Sequence, residues 1–89
     1  MTKLIKFTGD ASKEITIIAR TNKKMFIKIN ALIEDIQING PKYGIGHPEP
    51  LKGSLTDYYS RKIDSKNRLI YKVDEDIIII KCLGHYFDK

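Results

Sequence analysis

All three prolines of this 89-residue chain fall between positions 41 and 50, and four of its six glycines fall between 40 and 53. Neither a helix nor a central strand tolerates that density of Gly and Pro. The segment therefore divides the chain into a part before it and a part after it. Within it, Gly44-Ile45-Gly46-His47-Pro48-Glu49-Pro50-Leu51-Lys52-Gly53 carries a carboxylate, Glu49, between two prolines, with Lys52 three residues on. Each proline fixes φ near −65° and stiffens its surroundings. A flexible linker has no use for such stiffening, whereas rigid presentation of a charged group is what a catalytic site needs. The wider segment from Lys42 to Asp57 reads as a long irregular connection, with the prolines, Leu51 and Leu55 arguing for order.

The part before the segment is helical. Lys3 to Phe7 reads as a short first strand, and Thr8-Gly9-Asp10 as a turn with Asp10 as the helix cap. Ala11 to Arg20 then places Ala11, Ile15, Ile18 and Ala19 on one apolar stripe, with Ile17 off it. After a break at Thr21-Asn22, Lys23 to Ile38 repeats apolar residues at Phe26, Ile29, Leu32, Ile33 and Ile36, the helical period. Asn39-Gly40-Pro41 ends it. So short a break predicts an antiparallel helical hairpin.

The part after the segment is strands: Tyr58 to Asp64, Arg68 to Asp74 and Asp76 to Leu83, joined by tight turns at Ser65-Lys66-Asn67 and Asp74-Glu75-Asp76. Leu69, Tyr71 and Val73 alternate with Arg68, Ile70 and Lys72, so one face is core and the other mixed. The predicted fold is α+β, in the order β-α-α-β-β-β, with a small antiparallel sheet and the helical pair packed on one face. One domain over residues 1–89 is expected at this length.

Composition narrows the function classes. Hydrophobic residues at 42% against 30% charged fit an ordered protein rather than a disordered one. The longest apolar run, Ile77 to Ile80, is far short of a membrane span, and the N-terminus has no signal-peptide pattern. Cys82 is the single cysteine, which excludes an internal disulfide and a multi-cysteine zinc motif and points to a reducing, cytoplasmic location. A net charge of +5 favours polyanionic partners, either nucleic acid or an acidic protein.

The residues offer the parts of a metal-free, cofactor-free site for cleaving RNA through its own 2′-hydroxyl. That reaction needs a base for the 2′ proton, a cation for the phosphate and an acid for the leaving 5′ oxygen. Glu49 can serve as the base. Arg68 suits the phosphate because its planar fork holds two oxygens at once. His85 suits the acid role because the unperturbed pKa of a histidine side chain is near neutrality, and composition does not choose between it and His47. Lys52 and Lys62 read by default as surface lysines. Tyr86 can cover a sheet edge or stack on a base.

Four motifs, in order, carry a resemblance: the Gly44–Gly53 segment; Tyr58-Tyr59-Ser60-Arg61-Lys62-Ile63; Asn67-Arg68-Leu69-Ile70-Tyr71; and Cys82-Leu83-Gly84-His85-Tyr86. Together they resemble the YoeB/Txe family of bacterial toxins in the RelE superfamily, closely in the second half and more loosely in the first. The resemblance implies the RelE-like microbial RNase fold and the toxin of a type II toxin–antitoxin system. It implies a ribosome-dependent mRNA endonuclease that cuts in the A site and leaves a 2′,3′-cyclic phosphate. It puts the catalytic groups at Glu49, Arg68 and His85, and RNA or phosphate contacts at Lys52, Arg61, Lys62 and Tyr86. The implied partners are a cognate acidic antitoxin of the YefM/Axe kind, the ribosome with its mRNA, and operator DNA bound with the antitoxin, with room for a homodimer. An alternative is a domain that mainly binds antitoxin and represses its own operon. The chain departs from the family pattern with Lys62 in place of an arginine, His47 where lysine is common, no tryptophan, and Phe87-Asp88-Lys89 after the His-Tyr pair.

Overall fold

The computed structural model describes residues 3–52 and 57–84. Its elements are β1 (Ile5–Phe7), α1 (Gly9–Thr21), α2 (Lys23–Asn39), β2 (Glu49–Pro50), β3 (Tyr59–Lys62), β4 (Arg68–Val73) and β5 (Ile77–Lys81). They form a five-stranded sheet in the order β1-β5-β4-β3-β2. The α+β class and the order of helices and strands are as expected, with two refinements. The sheet is antiparallel except where β1 lies parallel to β5, with Ile5 opposite Ile77. In addition, the proline-rich segment contributes the edge strand β2, paired antiparallel to β3.

Helix boundaries follow from their caps. Thr8, rather than Asp10, caps α1: its hydroxyl accepts from the Ala11 N–H at 3.2 Å and donates to the Ile80 carbonyl at 3.1 Å. The reason lies in the sheet. The Thr8 N–H bonds the Ile79 carbonyl, which extends the β1–β5 ladder to Thr8 and lets the helix begin directly after it. Asp10 then falls in the first turn, where its charge favours the helix dipole. Asn22 alone separates the helices. It ends α1, and its side chain accepts from the Met25 N–H at 3.1 Å to start α2.

The core lies between the helices and one face of the sheet. Ile29, Leu32 and Ile36 of α2 and Ala11 and Ile18 of α1 pack with Leu69, Tyr71, Ile77, Ile79 and Cys82. Met25, absent from the predicted stripe, is also buried, while Ala19 is exposed because α1 buries only the narrower face of Ala11, Ile15 and Ile18. Full burial of a Leu or Ile side chain is worth roughly 1.5–3 kcal/mol, so these residues dominate the stability of a thin core.

Strand alternation sorts the sheet into two faces. Leu69, Tyr71, Ile77 and Ile79 face the helices. The opposite face takes the alternate positions: Glu49 opposite Ser60, Ser60 opposite Ile70, and Lys62 opposite Arg68. The candidate chemistry therefore sits on the sheet's helix-free side.

Candidate active site

Glu49, Ser60 and Arg68 come from three neighbouring strands and meet on that helix-free face. Arg68 Nη2 donates to Glu49 Oε1 at 3.1 Å, and Arg68 Nε donates to Ser60 Oγ at 3.2 Å. The Glu49 side chain is 55% exposed and that of Arg68 only 17%. The guanidinium is thus held against the sheet by a fully buried serine, while the carboxylate stands in front of it, open to solvent. Lys62 shares this face by register and is exposed. Lys52 is exposed just beyond β2.

The edge strand that presents Glu49 is built into the sheet rather than tethered to it. Leu51 is buried, and its N–H bonds the Tyr58 carbonyl at 2.9 Å. The Gly46 carbonyl accepts from the Lys62 N–H at 2.7 Å. Gly46 has φ 84°, and a Cβ there would press on Leu32 and on the Arg61 side chain. Gly44 has φ 124°, and a Cβ there would run into the Asp35 carboxylate. Pro48 and Pro50, on either side of Glu49, line a groove with Lys42 and Tyr59.

Arg61 corrects an expectation. Its place in the motif suggested a phosphate contact, but it lies between Ser60 and Lys62 and so points into the protein, where it is 0% exposed. All five guanidinium N–H donors are used internally. Nε donates to Tyr71 Oη at 2.9 Å. Nη1 bonds Asp35 Oδ2 and the Ile45 carbonyl, and Nη2 bonds the carbonyls of Gly40 and Tyr43. Asp35 adds a bond from the Ile45 N–H at 3.0 Å. The Arg61 guanidinium holds the Asp35 carboxyl below its ordinary pKa, with the Ile45 and Asn39 donors acting in the same direction. Burial pushes the Tyr71 phenol up. Arg61 is therefore the anchor of the loop after α2, and Tyr71, bonded to the Pro41 carbonyl at 2.8 Å, completes it.

Ser60, which holds Arg68 through its hydroxyl, is a further residue of the candidate site. The signal for it was the same alternation: in Ser60-Arg61-Lys62 only the first and third residues can share a face with Glu49. His47 is exposed with φ 52°. His85 and Tyr86 lie outside the described residues. Gly84, which precedes them, accepts from the Arg68 N–H at 3.0 Å and donates its own N–H to Asn67 Oδ1 at 2.7 Å. Among the described residues no three His, Cys, Asp or Glu side chains are grouped to hold a metal ion, and no helix is long and apolar enough to cross a membrane.

This fold is that of the small toxins of bacterial toxin–antitoxin systems. Solved structures with the same architecture include the YoeB dimer from Staphylococcus aureus, with a TM-score of 0.91 and 42% identity over 97% of this chain and all of that one. A YoeB/ParE toxin from Agrobacterium tumefaciens matches with a TM-score of 0.90 and 34% identity, over 93% of this chain and 99% of that one. Toxin YoeB of Streptomyces coelicolor is 41% identical over 83 residues, covering 92% of this chain and 98% of the relative. Residues 7–86 match the family described as YoeB-like toxin of bacterial type II toxin-antitoxin system. The chain belongs to that family.

Proposed function

We propose that this toxin is a ribosome-dependent mRNA endonuclease that works by attack of the 2′-hydroxyl. The observation that carries the reading is the Glu49–Arg68 contact of 3.1 Å on the helix-free face of the sheet, with the carboxylate reaching solvent. Glu49 takes the proton of the 2′-hydroxyl; the 2′ oxygen attacks the adjacent phosphorus; the bond to the 5′ oxygen breaks, leaving a 2′,3′-cyclic phosphate. Arg68, held through Nε by Ser60, stabilises the charge that builds on the phosphate. His85 supplies the proton to the leaving 5′ oxygen, and Tyr86 stacks on a base. Lys52 and Lys62 draw in the RNA backbone as point charges. None of these steps calls on a cofactor.

A family toxin of this kind works in the cytoplasm under an antitoxin. Complexes of YoeB with YefM from Staphylococcus aureus support a YefM-like antitoxin as the partner, and the YoeB dimer from the same organism supports self-association. The basic chain, at +5, suits an acidic antitoxin segment and, within the complex, operator DNA. Antitoxin binding and operon control are thus a second role of the same molecule.

The test is primer extension on one transcript, with and without translating ribosomes. Wild type should cut only the translated message, and Glu49→Gln and Arg68→Ala should each lose at least about 10²-fold. Unchanged cleavage in both variants would overturn the assignment.

A further inference from the structure

The chain beyond β5 is gripped by a helix residue that the catalytic reading leaves unused. Glu14, on α1, accepts through Oε1 from the N–H of Cys82 at 2.6 Å and of Leu83 at 3.3 Å. Its Oε2 takes Lys81 Nζ at 3.1 Å, and its side chain is only 16% exposed. β1 does not provide these acceptors. The β1–β5 register runs to Phe7 opposite Ile79, and β5 itself ends at Lys81. Backbone donors of a segment leaving a sheet need partners elsewhere. A carboxylate taking two successive N–H groups is a strong one, because such bonds are charge-assisted.

The grip has a second side. Gly84 is bonded through both backbone groups to the Asn67-Arg68 step, next to the catalytic arginine. Asn67 is in turn fixed by Asp64, which accepts from the backbone N–H groups of Lys66 and Asn67 at 2.8 Å each. Residues 82–84 are thus held between α1 and the start of β4, immediately ahead of His85.

We infer that Glu14 is a positioning residue for cleavage: by holding the backbone of Cys82 and Leu83 it fixes residues 82–84 beside the Asn67-Arg68 step. This rests on the endonuclease reading above. Glu14 touches neither Glu49 nor Arg68, so it acts on the rate of the bound complex rather than on RNA affinity.

The test is single-turnover cleavage of a ribosome-bound message by Glu14→Ala, Glu14→Gln and Lys81→Met, with amide hydrogen exchange at Cys82 and Leu83. Glu14→Ala should lower the saturating rate at least tenfold, leave half-saturation within about twofold, and lose exchange protection at both amides. Glu14→Gln keeps a neutral acceptor and should recover most of the rate. Lys81→Met removes only the ion pair and should stay within about twofold of wild type. If Glu14→Ala fails to fold, Glu14→Met, which keeps the side-chain length but has no oxygen acceptor, decides: a rate and amide protection equal to wild type overturn the inference. A Glu14→Ala protein that cuts like wild type, beside an inactive Glu49→Gln, overturns this inference alone. Wild-type cleavage by Glu49→Gln overturns the functional reading and this positioning role with it.

Discussion

Arg61 and Asp35 join β3 to α2 through an ion pair with a fully buried guanidinium and a partly exposed carboxylate, and that pair closes the loop that leads to Glu49. The loop's own carbonyls at Gly40, Tyr43 and Ile45 converge on the same guanidinium. Arg61 in this motif therefore serves the fold, as the anchor of the loop that leads to Glu49.

Arg61→Ala should cost about 3–5 kcal/mol of stability, the range for breaking a buried ion pair and stranding its partner. Arg61→Lys should recover only part of this, since an ammonium offers three donors from one point in place of a planar fork. Urea denaturation measures both. A variant as stable as wild type but unable to bind RNA would return Arg61 to the phosphate.

Acid should expose the same pair. The Asp35 carboxyl is held below its ordinary value of 3.8 in the folded protein, chiefly by Arg61. The folded state thus binds the proton more weakly than the unfolded state. Its stabilisation is complete above about pH 3.8 and is lost as pH falls through the lower folded value. Asp64, lowered mainly by its bond from the Lys66 N–H, acts with the same sign. Asp35→Asn should lower stability at neutral pH and flatten the loss of stability on acidification, read by urea midpoints from pH 7 to pH 3.

Ser60 and Lys62 should separate orientation from charge. Ser60→Ala removes the acceptor of Arg68 Nε and should slow cleavage several-fold at a stability cost of about 0.5–1.5 kcal/mol. Lys62→Arg supplies a fork in place of a point charge and should strengthen message binding, while Lys62→Ala should weaken it and reduce its salt dependence. Half-saturation constants at two ionic strengths check both.

Cys82 is buried, and burial, with Glu14 nearby, pushes its thiol up to about 12. It should not react with a thiol reagent at pH 8 in the folded protein and should react fully in denaturant. Prompt labelling of the native protein would show that the segment gripped by Glu14 opens readily.

The helices and strands were legible because period and caps are local: the α2 stripe from Phe26 to Ile36 and the alternation at Arg68–Val73 each lie within one element. Glu49 and Arg68 were legible as candidates from the proline frame and the motif order, and the sheet register brings them together. What was not legible depends on pairs far apart in sequence. Thr8 caps α1 because β1 lies beside β5, more than seventy residues away. Arg61 is buried because Asp35 and the carbonyls of residues 40–45 wait for it, and a charged residue inside a basic motif reads as surface until its strand parity is known. Glu14 binds the backbone of residues 82 and 83, and no side-chain pattern announces a backbone donor.

The most direct measurement uses a translated message carrying a single 2′-deoxynucleotide at the cleaved position, beside its all-ribose twin. The Glu49–Arg68 account predicts that wild type cuts only the all-ribose message, leaves a 2′,3′-cyclic phosphate, and loses this activity in Glu49→Gln. Cleavage of the deoxy-substituted message at the same position, or full activity of Glu49→Gln on the ribose message, would contradict it.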